Sequence, residues 1–126
     1  MSFKGHRYFR GRITRKNAIQ RESDIQLQIL KYLRVIGAYA GKTRMMGYKH
    51  PSGRWILDPY NFVGFPDLSC FYNNKFYFIE CKALGNKQSP AQKKFQQYCE
   101  ISGINYILAF CIEDIILALR KDGHNV

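Results

Sequence analysis

Asp67, in the run Gly-Phe-Pro-Asp-Leu at 64–68, and Glu80 with Lys82, in Ile-Glu-Cys-Lys at 79–82, are the residues best placed by type and spacing to do chemistry. Glu80 and Lys82 are two positions apart, so on a strand their side chains share a face while Cys81 points into the core. The runs 67–72 and 75–81 are largely apolar or aromatic and enclose Asn73-Asn74. Asn tolerates the positive φ that a two-residue hairpin turn demands. Closing a hairpin there sets Asp67 opposite about position 80. Carboxylates that face each other across a sheet repel, and a divalent cation between them removes the conflict. Oxygen ligands completed by water and a phosphate describe Mg²⁺ or Mn²⁺ rather than zinc. Such an ion lowers the pKa of its water and offsets charge growing on a phosphate. Lys82 beside it can orient the attacking water, help deprotonate it, or offset the phosphate's charge, and the spacing leaves these roles open. The plain alternatives are a turn acid after Pro66 and an exposed Glu80–Lys82 ion pair contributing at most about 1 kcal/mol. All three residues together, on facing strands of a basic chain, favour the chemistry.

The flanking elements must hold this pair of strands. From Glu22 to Ile36, Ile25, Ile29, Leu30, Leu33 and Ile36 recur at helical spacing, with Ser23 as the expected cap and Gly37 as a left-handed stop. A strand is expected from Ala38 to Met46, carrying Lys42 and Arg44, followed by a loop from Gly47 to Gly64 that holds Lys49 and Arg54 among aromatics. Ser89-Pro90-Ala91-Gln92 reads as the opening of a helix ending at Gly103, with Ser89 as cap, Pro90 first in the helix and Gln92 closing a capping box. Ile104 to Phe110 reads as a strand buried on both faces, and Glu113 to Arg120 as a last helix. The predicted order is αβββαβα, an α/β domain over 22–126 preceded by a basic arm at 1–21.

Charge narrows the partners. Twenty Lys+Arg against nine Asp+Glu give +11 over 126 residues, and residues 1–21 hold seven of the basic ones and no acid. A polyanion is the natural partner, and no stretch approaches the roughly 20 apolar residues of a membrane-spanning helix. Cys70, Cys81, Cys99 and Cys111 lack CxxC spacing and read as reduced core residues. His6, His50 and His124 are scattered and read as solvated. No apolar signal segment opens the sequence, so an intracellular protein is expected.

The motifs GFPDL and IECK, between a leading Glu-bearing helix and a following SPAQ helix, resemble the PD-(D/E)XK nuclease superfamily, and within it the VRR-NUC branch. The likeness runs from about Glu22 to the final helix, although the stretch KTRMMGYKHPSG departs from the branch's pattern. It implies a restriction-endonuclease-like core with a central mixed sheet flanked by helices. It further implies that Asp67 and Glu80 bind Mg²⁺ or Mn²⁺, joined by the main-chain carbonyl of Cys81, and that Lys82 is catalytic. Glu22 and Gln92 map onto family positions near the site, while each also has a local role, Glu22 at the helix's positive end and Gln92 in its capping box.

A structure-selective DNA endonuclease is the resulting expectation, cutting branched DNA such as four-way junctions as a homodimer, because so short a chain leaves no room for a separate sequence-reading domain. Lys42, Arg44, Lys49, Arg54 and Lys87 are the expected contacts to the DNA backbone. A flap or single-strand nuclease is an alternative within the class. Outside it stand a non-catalytic binding module on the same fold, and an RNA-binding factor using Tyr39, Tyr48, Trp55 and Tyr60 as stacking platforms.

Overall fold

The computed structural model describes residues 21–43, 48–56 and 58–126. The basic arm, apart from Arg21, lies outside them, as does Arg44.

Helix α1 (Glu22–Val35) buries Ile25, Ile29, Leu30 and Leu33, the predicted stripe. It stops at Gly37, whose φ of +91° suits the left-handed stop, and the Ala38 N–H reaches back to the Leu33 carbonyl at 2.9 Å. Ser23 does not cap it. The N-cap is Arg21, without a side-chain bond, and the acids Glu22 and Asp24 complement the helix's positive end instead.

Strand β1 spans Tyr39–Lys42, and residues 44–46 of the expected strand lie outside the described residues. The segment expected to be a loop contains two short strands, β2 (Tyr48–Lys49) and β3 (Trp55–Ile56), paired antiparallel with Lys49 opposite Trp55. Their turn is held by the His50 N–H on the Arg54 carbonyl at 2.8 Å and by Gly53 at φ +92°. Strands of two residues are too brief for alternation to reveal them.

β4 (Leu68–Tyr72) and β5 (Lys75–Cys81) form the predicted hairpin, with Tyr72 opposite Lys75 and Leu68 opposite Ile79. Asn73 and Asn74 turn it at φ +48° and +67°. Helix α2 (Pro90–Ser102) follows, then β6 (Asn105–Ala109) and α3 (Ile112–Lys121). The main sheet runs β1-β4-β5-β6, antiparallel except for the parallel β5–β6 pair, so the predicted αβββαβα order holds with the β2–β3 hairpin inserted.

The two faces of this sheet differ. Ala40, Cys70, Tyr77, Ile79, Cys81, Ile107 and Ala109 point to one side and form the core with α1 and α3, which adds Ile115 and Leu119. The other side carries Tyr39, Phe71, Phe76 and Phe78, then Asp67 and Glu80, and α2 covers it only in part. β6 is consequently an edge strand with Ile107 and Ala109 buried and Tyr106 and Leu108 half-buried, rather than a strand buried on both faces.

Cys70, Cys81 and Cys99 are free and buried as expected, while Cys111 is half-buried at the N-cap of α3. His124 is not solvated. Its side chain is 6% exposed, because the last turn folds it against β5, where Nε2 meets the Tyr77 hydroxyl at 2.7 Å. The same hydroxyl donates to Asp122, which Lys75 pairs at 3.0 Å. No described helix is long and apolar enough to cross a membrane.

Candidate active site

Asp67 and Glu80 meet where the register places them, one position beyond the Leu68–Ile79 pair. Asp67 is fixed from both sides. The Thr43 N–H donates to its carbonyl at 2.9 Å, the Thr43 hydroxyl donates to the Pro66 carbonyl, and its own Oδ2 accepts the Cys81 N–H at 2.9 Å. These bonds set the Pro-Asp turn against β5 and leave the second carboxylate oxygen free of the backbone.

Glu80 is 1% exposed. Its Oε2 accepts Gln92 Nε2 at 2.9 Å and lies 3.7 Å from Lys82 Nζ. Its Oε1 is sealed from solvent with no hydrogen-bond partner. Lys82 is 8% exposed, so the reading of an open surface ion pair is excluded by burial.

Gln92 performs both tasks that the sequence offered it. Its Oε1 accepts the Ser89 N–H at 2.8 Å and its backbone N–H donates to Ser89 Oγ at 3.1 Å, closing the capping box, while its amide nitrogen reaches Glu80. One side chain thus ties the start of α2 to the carboxylate of β5.

Glu22 stands at the rim. Its Oε2 accepts the Ala83 N–H at 3.3 Å and Asn86 Nδ2 at 2.9 Å, and its charge pushes both Asp67 and Glu80 upward. Among the described residues no three His, Cys, Asp or Glu side chains gather closely enough to ligate one ion by themselves. The Asp67–Glu80 pair nevertheless fits a hard cation. The donors are oxygens, one is buried without a partner, and Mg²⁺ keeps several waters when only one or two carboxylates hold it.

Burial first, and then the Asp67 charge, push the Glu80 carboxyl up to about 8; Asp67 is raised too, chiefly by burial, against the Cys81 N–H. Between the ordinary value of 4.5 and about 8 the folded chain therefore holds a proton that the unfolded chain has released. Stability conferred by that proton is present at low pH and is lost as pH rises through this window. In EDTA, wild type should lose stability relative to Glu80→Gln between about pH 5 and about pH 9, by on the order of 3 kcal/mol. Thermal melts that run parallel for the two proteins would show that Glu80 titrates normally.

The expected nucleic-acid contacts are more scattered. Lys42 is exposed, but strand parity places it with Ala40 on the α1 side of the sheet, away from the carboxylates. Lys49 and Arg54 are exposed on the β2–β3 hairpin, and Lys87 is exposed one residue past Asn86, at the rim. Tyr39, Trp55 and Tyr60 are exposed at 82%, 63% and 93%.

Several positioning residues escaped the sequence reading. Thr43 holds the Pro-Asp turn, Asn86 holds Glu22, and Gly64 lies against the first turn of α2, where an added Cβ would stand 2.5 Å from the Ala91 carbonyl carbon. The glycine in GFPDL was the only sequence signal for the last of these.

No family model and no curated protein matches the chain. A solved structure titled VRR_NUC domain is similar to it with a TM-score of 0.56 at 19% identity, over 82% of this chain and 97% of that one. The fold is accordingly the mixed α/β, restriction-endonuclease-like fold of a VRR-NUC domain, as the GFPDL and IECK motifs led one to expect.

Proposed function

We propose that this chain is a metal-dependent endonuclease that hydrolyses the phosphodiesters of branched DNA, four-way junctions among them, and works as a homodimer. The observation that carries the proposal is the buried Glu80, facing the half-buried Asp67, with one Glu80 oxygen unpartnered and Lys82 beside it. Two facing carboxylates, one of them sealed from solvent, repel each other and lose hydration, a cost that a cation between them offsets.

Asp67, Glu80 and the main-chain carbonyl of Cys81 would hold Mg²⁺ or Mn²⁺, with Glu22 at the rim. When bound, such an ion supplies a water of lowered pKa and offsets charge on the phosphate. The protein's own part is positional. The Cys81 N–H and the Thr43 bonds aim Asp67, the Gln92 amide holds Glu80 at Oε2, and Lys82 keeps an ammonium where a phosphate oxygen can meet it. Lys49, Arg54 and Lys87, with Arg44, hold the DNA backbone without reading sequence, so selection rests on the shape of the DNA. Cutting two strands of a junction requires two such sites, which a symmetric pair supplies.

The test is incubation of the protein with labelled four-way junction, flap, duplex and single-stranded DNA in Mg²⁺, Mn²⁺ or EDTA, beside Lys82→Ala. Paired cuts in the junction, lost in EDTA and lowered at least about 100-fold in the variant, are expected. Tight binding with no cleavage of any substrate would identify a binding module instead.

A further inference from the structure

Next to the carboxylates the sheet carries an open aromatic groove of about 740 Å³, walled by Phe62, Phe65, Phe78, Phe95, Tyr98 and Lys94. Its rings form a connected set: Phe62 stacks on Phe65 at 4.6 Å, Phe65 meets Phe78 and Phe95 at 5.1 Å each, and Phe78 meets Phe95 at 5.3 Å. The outer rings are uncovered, with Phe62 61% and Tyr98 60% exposed. So much unpartnered aromatic surface in so basic a chain calls for an occupant with planar apolar faces and negative charge.

Groove and site are built from the same segments. The run before β4 carries Phe65 and Asp67, β5 carries Phe78 and Glu80, and α2 carries Phe95 and Gln92. Phe78 shares a sheet face with Glu80, two residues away, or about 7 Å along the strand. That is the length of about two stacked nucleotides at about 3.4 Å each.

We infer that this groove binds unpaired nucleobases of the DNA strand whose phosphate lies at Asp67 and Glu80. The inference rests on the nuclease reading and names what that site selects. Bases inside a duplex are stacked on one another and cannot enter, whereas bases at a branch point, flap or melted junction centre can stack on Phe62 and Tyr98 while Lys94 meets the backbone. Preference for branched DNA then follows from the availability of free bases rather than from their identity. A second copy of the chain is the competing occupant. It would lie against the segment before Asp67 and the start of α2, the walls past which a strand must reach Glu80.

The test uses the full chain in EDTA, where no turnover occurs, and fluorescence anisotropy with a short labelled oligothymidine and an abasic-spacer strand of equal length. Wild type is expected to bind the base-bearing strand about tenfold more tightly or better. Phe62→Ala with Tyr98→Ala should abolish that preference and leave abasic affinity unchanged, and Phe62→Trp with Tyr98→Phe should restore it. Both sites are exposed, so the core is untouched. Equal affinity of wild type for the two strands, or an undiminished preference in the double alanine variant, would overturn the inference. So would sedimentation in which wild type is a dimer and the double alanine variant a monomer, since the groove would then be an interface between copies. Failure of the nuclease reading registers separately, as the absence of metal-dependent cleavage or of binding to either strand.

Discussion

Glu80→Ala is expected to abolish phosphodiester cleavage, by about 1,000-fold or more, while leaving DNA affinity unchanged or raised. The carboxylate is the most buried of the site's groups and the only one held by both α2 and Lys82. Its removal takes away cation-holding capacity and one negative charge facing phosphate. The variant should also be no less stable than wild type near pH 9 without metal, because the side chain it loses is a carboxyl kept from solvent with an unpartnered oxygen. Asp67→Ala should share the loss of cleavage. Single-turnover cleavage, filter binding and melts on one preparation separate these effects. A Glu80→Ala protein that melts much lower and still cuts would show that the residue serves the fold.

Gly64→Ala should be the most damaging alanine substitution among the described glycines. At φ +75° a side chain is already strained, and the new Cβ would stand 2.5 Å from the Ala91 carbonyl carbon, 2.7 Å from the Gln92 nitrogen and 2.8 Å from the Ala91 Cβ. These are mostly backbone atoms of a capped helix turn and cannot swing aside. A cost of at least about 3 kcal/mol is expected, together with displacement of Gln92 from Glu80 and loss of cleavage. Gly53→Ala is the control. Its φ is +92° with nothing within 4 Å, so backbone strain alone should cost about 1 kcal/mol. If both variants melt alike, Gly64 does not set the approach of α2.

What the sequence disclosed and what it hid divide by range. The Asn73-Asn74 turn, the parity of Glu80 and Lys82, and the Ser89–Gln92 box are written within a few residues, where local geometry leaves few alternatives. Asp67 opposite Glu80 followed from counting back along the hairpin. Contacts that depend on how α2 or the chain's end returns to the sheet had no such trace. Gly64 under Ala91 and His124 behind Tyr77 join segments that sequence spacing does not relate, whereas Gln92 near Glu80 was offered by the family resemblance and not by spacing. The aromatic groove was hidden for the same reason. Phe62, Phe65, Phe78 and Phe95 come from three separate segments, and nothing in their spacing relates them.

The sharing of segments between carboxylates and aromatic rings constrains how such a molecule can diverge. A substitution at Phe65, Phe78 or Phe95 shifts the same stretch of backbone that aims Asp67, Glu80 or Gln92, so reshaping the inner wall perturbs the rate as well as the fit. Phe62 and Tyr98 are coupled only at the outside, with most of their surface in solvent. Drift in substrate preference should therefore pass through these two outer positions, and a designer seeking altered selectivity at constant turnover would begin with them.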